Sequence, residues 1–370
     1  MPRKLLGLLA LSFLSGCVAP PLEPTRVGRI TQIVEKHLAR SKAPGLVIGV
    51  IEGKKQSVLG FGRVSLKSEE KPGAETVYEI GSITKVFTTF LLAALAQEGL
   101  VGLNDPIRVH LPKDVTAPRS DNKEITFTHL ATHTSGLPPV PANLPAFTED
   151  PYANYGADRL YDYLRATNRL KYPVESKYEY SNLGMGLLGH LLERASTMTY
   201  EELVVQRIAN PLGMRDTRIT LTESMQARLA WPYDVHGKPA HGWNFRALAG
   251  CGALRSTVRD LLRFAAANLG QGDPRLTAVL ASCHAVRLKE DVFPDRLRVG
   301  LGWHHSPLRA GGKWVIWHNG GTGGYTSFLG FAKETGTAVV VLTNSGPSME
   351  RDKPSAADQI GMEVLEYLNP

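Results

Sequence analysis

Apolar and polar positions along the chain fall into two kinds of pattern. Residues 45–51 (Gly-Leu-Val-Ile-Gly-Val-Ile) and 338–343 (Ala-Val-Val-Val-Leu-Thr) are short apolar, β-branched runs bounded by turn residues, the pattern of buried central strands. Residues 57–64, 313–317 and 325–331 carry weaker strand patterns. From Ile83, apolar residues recur at Val86, Phe87, Phe90, Leu91, Ala94 and Leu95, a helix with one buried stripe that Gly99 stops. Residues 183–195, 257–269 and 356–368 repeat this helical pattern. Strand patterns thus cluster at the two chain ends and helical ones fill the middle. The expected fold class is α/β (α+β), one sheet built from both termini with a helical region inserted. Residues 27–80 and 295–370 are expected to form the α/β domain and residues 81–294 the mainly helical one.

The N-terminus predicts export. Arg3 and Lys4 precede a short apolar stretch, residues 5–14, and small residues Ser15-Gly16 then lead to Cys17. Leu14-Ser15-Gly16-Cys17 resembles a bacterial lipobox, which makes residues 1–16 a lipoprotein signal peptide and Cys17 the lipidated residue; a plain signal peptide is the alternative. Residues 17–26, with Pro20, Pro21 and Pro24, are expected to be an extended tether. The chain would then stand in the cell envelope, lipid-anchored to a membrane and facing the periplasm. Removing residues 1–16 lowers Lys+Arg from 42 to 40 against 35 acids, so the excess is +5. No basic run or interleaved aromatic patch accompanies that charge, which argues against nucleic acid as a partner. Apolar residues at 43% and charged residues at 21% are globular proportions, which exclude a disordered chain, a coiled coil or a collagen. Cys251 and Cys283 remain either as a pair, as export permits, or as buried free thiols.

Three segments carry chemistry. Ser82-Ile83-Thr84-Lys85 places a hydroxyl and an amine one helical turn apart on one face. The spacing also occurs at Ser68-Glu69-Glu70-Lys71 and Ser120-Asp121-Asn122-Lys123, but in polar stretches where the lysine stays solvated. Ser82 instead opens an apolar helix, whose first N–H groups favour developing negative charge. Helix capping is the plain alternative role for it. Tyr180-Ser181-Asn182 supplies a phenol for proton transfer and an amide able to donate and accept. Its rival Tyr152-Ala153-Asn154 is not followed at once by an apolar helix that would hold it rigid. His318-Asn319-Gly320-Gly321-Thr322-Gly323-Gly324 follows a strand, and its glycines permit either close approach to the backbone or a tight turn. His284 and His304-His305 lack metal-ligand spacing and are expected in core or surface roles, so no metal and no cofactor is implied.

In that order, Ser82, Tyr180 and His318 resemble the three motifs of the penicillin-recognising serine hydrolases of the class C β-lactamase type: S-x-x-K, Y-x-N and a strand-borne K/H-x-G. The resemblance extends through Asn104-Asp105-Pro106, residues 129–138 (His-Leu-Ala-Thr-His-Thr-Ser-Gly-Leu-Pro), Pro211-Leu212-Gly213-Met214, Gly252-Ala253-Leu254-Arg255-Ser256-Thr257 and Gly300-Leu301-Gly302-Trp303. It implies an antiparallel sheet formed by both chain ends, an inserted all-α domain, and a site between them. It implies that Ser82 is the acylated nucleophile, that Lys85 and Tyr180 handle its proton, and that Asn182 binds the substrate amide. The N–H groups of Ser82 and Gly321 would form the oxyanion hole, with His318, Asn319 and Gly320 lining the substrate. His133 would be structural.

Two departures bear on activity. His318 stands where β-lactamases of this type have lysine, and Asn319 replaces the threonine that hydrogen-bonds a substrate carboxylate. A neutral histidine attracts an anionic substrate less than lysine does. The expected activity is therefore that of a D-alanyl-D-alanine carboxypeptidase/endopeptidase on peptidoglycan peptides that also binds β-lactams. β-Lactamase, carboxylesterase and non-catalytic cell-wall sensor are the alternatives. An α/β-hydrolase is argued against, because no G-x-S-x-G occurs in the chain.

Overall fold

The computed structural model describes residues 19–120, 123–145, 148–167, 169–289, 298–309, 312–348, 350 and 353–370. The expected signal peptide and Cys17 lie outside these residues. Twelve strands are assigned among them: β1 (Gly45–Glu52), β2 (Lys55–Gly62), β3 (Val77–Glu79), β4 (Arg119–Ser120), β5 (Lys123–Glu124), β6 (Arg255–Thr257), β7 (Leu288–Lys289), β8 (Arg298–Val299), β9 (His304–Pro307), β10 (Trp314–Gly321), β11 (Thr326–Ala332) and β12 (Thr337–Thr343). Eight form an antiparallel sheet in the order β2-β1-β12-β11-β10-β9-β8-β7. The first two strands of the chain therefore join the last six, and β1 pairs with β12 from Leu46↔Thr343 to Glu52↔Thr337.

Helices cover both faces: α1 (Pro24–Leu38), α2 (Thr84–Gln97), α3 (Phe127–Ala131), α4 (Ala157–Ala166), α5 (Asn182–Ser196), α6 (Tyr200–Val204), α7 (Asn210–Leu212), α8 (Glu223–Ala227), α9 (Val258–Asn268), α10 (Pro274–Cys283) and α11 (Ala356–Leu368). Because both faces are covered, β1 and β12 read as continuous apolar runs rather than alternating ones. Leu46, Ile48, Val50, Val339 and Val341 pack with α1 and α11, while Val47, Ile51, Val340 and Leu342 join the larger core beneath α2 and α9. Although α9 falls in the stretch expected to be the helical domain, it packs on β1, β11 and β12.

Two expectations change. Within the expected tether, residues 19–26 are not free and extended. Pro20 O accepts from Gln56 N at 2.8 Å, Leu22 N donates to Ser57 Oγ at 3.0 Å, and Leu22 is buried, so the strap lies along β2. Pro24 then opens α1, where its missing N–H costs nothing. The helical spacing of Ile30, Ile33, Val34 and His37, the buried positions of α1, was present in the sequence. The second change concerns α2, which is enclosed on all sides rather than along one stripe. Its polar face is satisfied internally: Thr84 Oγ1 accepts from Leu254 N, and Thr88 and Thr89 donate to Gly250 O and Leu301 O. Cys251 and Cys283 are free and buried, and burial pushes their thiols up to about 11 and about 12.

Candidate active site

Ser82 sits in a single 3₁₀ turn, Gly81–Ile83, that leads from β3 into α2. The turn exists because Gly81 adopts φ +49°, and because β10 and β11 lie against it. Ser327 Oγ donates to Ile80 O at 2.8 Å. Any side chain on Gly320 would collide with Ile80 O and Ser82 N. The glycines of β10 thus allow the strand to approach the serine backbone, as the sequence pattern allowed. Ser82 caps neither the turn nor α2, and its side chain meets Lys85 instead.

Lys85 is fully buried. Its Nζ lies 2.9 Å from Ser82 Oγ, 2.8 Å from Asn182 Oδ1 and 2.7 Å from Cys251 O. It also stands over the Tyr180 ring, 4.8 Å from the centroid. Tyr180 comes from a segment just before α5, which Ser181 caps by accepting from Gly184 N. The loop after α3 templates that segment: Glu179 N donates to His133 O, Ser181 N to His133 Nδ1, Ser181 Oγ to Pro138 O, and Asn182 N to Pro139 O. His133 itself adopts φ +59° and packs its ring on Tyr180 at 4.6 Å. Ser82, Lys85, Tyr180 and Asn182 are therefore brought together.

The third motif divides. His318 is wholly buried, its ring 6.2 Å from Tyr180 and stacked on His304 at 4.9 Å. Its Nδ1 lies 2.6 Å from Asn319 O, which fixes the proton on Nδ1 because a carbonyl only accepts. Burial, His304 and Lys85 hold its pKa well below the usual imidazole range, so the ring is neutral. Asn319, expected to line the substrate, points the other way. Strand residues alternate, so with His318 turned to Tyr180, Asn319 shares a groove with Trp317, Asp358 and Met362 beside α11. Gly320 and Gly321 continue β10 against Ser327 and Thr326, while the β9 partner ends at Trp317↔His304. Residues 318–321 therefore keep one paired edge and lose the other.

Sequence reasoning missed several parts. The Cys251 carbonyl holds Lys85, and His304 backs His318. Tyr152, from the rival motif, also reaches the site. Its OH accepts from Asn182 Nδ2 at 3.4 Å, its ring stacks on Phe245 at 4.5 Å, and burial pushes its phenol well up. The Glu79–Arg255 ion pair at 2.8 Å, both partners buried, fixes β3 just before the serine turn, and Glu79 also accepts from Trp243 N. These partners are far apart in the chain, and only the second Y-x-N carried a signal.

The Beta-lactamase family pattern matches residues 30–360. The chain belongs to that family. It is 28% identical over 365 residues to the D-alanyl-D-alanine-carboxypeptidase/endopeptidase AmpH of Escherichia coli, covering 94% of this chain and 92% of that one. A Beta-lactamase of Lysobacter lactamgenus is 26% identical over 315 residues, covering 83% and 77%. Among solved structures, a Beta-lactamase/D-alanine Carboxypeptidase from Yersinia pestis superposes with TM-score 0.79 at 26% identity, covering 92% of this chain and 99% of that one. The protein is a serine hydrolase of this family, on the mixed α/β fold that the two chain ends build.

Proposed function

We propose that this protein is a DD-peptidase that cleaves D-alanyl peptides of peptidoglycan through an acyl-enzyme on Ser82 and is itself acylated by β-lactams. The observation that carries it is Lys85, whose amine bridges Ser82, Asn182 and the Cys251 carbonyl beneath Tyr180. Cys251 O and Asn182 Oδ1 only accept. A neutral amine fills both with its two N–H bonds and turns its lone pair to the Ser82 hydroxyl; an ammonium donates to all three. The cluster therefore accommodates a proton leaving Ser82 without rearrangement.

In the forward step the Ser82 oxygen bonds to the substrate carbonyl carbon as its proton passes to Lys85, and the N–H groups of Ser82 and Gly321 receive the oxyanion. Collapse breaks the C–N bond, and the departing amine takes a proton through Tyr180, whose hydroxyl is replenished from Lys85. Water then adds to the ester carbonyl, leaving a carboxylate and restoring the serine hydroxyl. The unpaired edge at residues 318–321 fits an extended peptide laid alongside β10. The neutral His318 and the outward Asn319 argue for peptidase over β-lactamase action. The lipobox-like segment adds the location: anchored through Cys17, in the cell envelope, facing the periplasm. With residues 19–23 already docked on β2, such an anchor would hold the body close to the membrane.

Intact mass of the full chain in detergent, sampled from seconds to hours after mixing with a penicillin, tests this. A long-lived adduct absent from Ser82→Ala, followed by D-alanine release from a D-alanyl-D-alanine peptide, is the expected result. Penicillin consumed with only a fleeting adduct would make the protein a β-lactamase, and neither adduct nor turnover would remove the peptidase reading.

A further inference from the structure

We propose that His304, on β9, is a positioning residue for Ser82 acylation, setting the place of Tyr180 through Tyr178; the inference rests on the Ser82 reading. Tyr180 belongs to residues 178–181, a stretch with no helix or strand bonds of its own. Such a segment stands where its contacts to other elements put it. Two imidazoles hold it from opposite layers. His133, from the helical region, packs edge-on against Tyr178 at 5.7 Å and on Tyr180 at 4.6 Å, and binds the backbone at Glu179 and Ser181. His304, from the sheet, places Nε2 3.0 Å from the Tyr178 hydroxyl. Its ring stacks on His318 at 4.9 Å with only 21° between planes, and meets Trp317 at 5.0 Å. A hydrogen bond to Tyr178 thus runs from β9 to the segment that carries the phenol above Lys85.

The unpartnered ring nitrogens fit this role. His133 Nε2, His304 Nδ1 and His318 Nε2 are buried without partners. Among the described residues no three His, Cys, Asp or Glu side chains converge as a metal site requires, so these rings serve as packing surfaces. Burial, His305 and Lys85 lower the His304 pKa to about 4, so the wall stays uncharged beside the Lys85 amine. A charged ring here would repel both Lys85 and any proton leaving Ser82.

Single-turnover acylation by a penicillin, resolved into affinity and rate constant for the full chain in detergent, tests the assignment. His304→Phe keeps the ring stack and loses the bond to Tyr178. Tyr178→Phe loses the same bond from the other side and leaves His304 packed, so it carries the test even where His304→Phe does not fold. Each should lower the acylation rate constant about 10- to 100-fold with affinity nearly unchanged, the size expected of a sub-ångström to ångström misplacement. The double variant should be no slower than the slower single, because both remove one interaction. His304→Gln, whose amide nitrogen can take the place of Nε2, should recover most of the rate. Parent-like acylation by Tyr178→Phe, additive losses in the double variant, or no recovery by Gln would each overturn the assignment. No adduct on the parent would overturn the Ser82 reading and this one with it; an adduct on the parent with unaffected variants would overturn this one alone.

Discussion

Lys85 shows how much one buried side chain organises. Its three hydrogen-bond partners come from residues 82, 182 and 251, and a fully buried amine needs all of them to offset its desolvation. The Ser82–Lys85 spacing was legible because one helical turn fixes it. The Cys251 carbonyl was not, because a backbone acceptor leaves no mark on residue type. Asn319 shows the converse. Expected to line the substrate, it faces Asp358 and α11 instead. Asn319→Ala is accordingly expected to leave acylation by a penicillin within about threefold of the parent, the effect of a surface change away from the chemistry. A loss of a hundredfold in the same assay would place its amide back in the site.

At the scale of elements, the serine turn and β10 are one unit. Gly320 is where they touch: a methyl there would meet Ile80 O and Ser82 N, backbone atoms that cannot rotate away, as well as Ser327 Oγ. Gly320→Ala should separate β10 from the Ile80–Ser82 turn, lowering acylation by about a hundredfold or more and stability by about 1–3 kcal/mol. Paired measurements of adduct formation and urea unfolding check both parts; parent-like values in the two together would show that the turn stands without the strand. The glycine run was compatible with a turn, yet Gly320 and Gly321 remain strand, and the turn is displaced to residues 322–325. Carrying the period-2 alternation through the glycines would have put Asn319 on the far face. The helices α2, α5, α9 and α11 were legible because apolar residues recur every turn along them. Residues 24–38 carried the same stripe behind three prolines that read as a tether.

Over the whole molecule, the buried imidazoles set the acid response. His284, His304 and His305 are lowered to about 2, 4 and 4, and His133 and His318 well below the usual range, all chiefly by burial. Each is neutral in the fold and gains a proton on unfolding below 6.5, so its stabilising effect is complete above that pH and declines as pH falls toward the folded value. Asp260 acts oppositely: burial raises it from 3.8 to about 6, so between those values the folded form holds the extra proton. Near pH 5 the lowered histidines, His110 among them, outnumber the raised carboxyls Asp260 and Asp358, so unfolding takes up protons on balance. Urea midpoints should therefore fall steeply from pH 7 to pH 5, and a flat profile would contradict the neutral burial of these rings.

By itself the sequence determined what local periodicity and short spacing can encode. It gave the strand segments at the two chain ends, the helices between them, the helix that follows Ser82, and the three short motifs. Those features depend on residues a turn or a strand apart, where helical and pleated geometry leave little choice. Tertiary structure decided what depends on residues far apart in the chain. It brought Lys85 to Asn182 and to the carbonyl of Cys251. It set His304 against Tyr178, 126 positions away, and left Cys251 and Cys283 unpaired. It also laid the N-terminal strap along β2. Each of these is a packing outcome, fixed by which buried polar atoms could find partners once the apolar faces had closed.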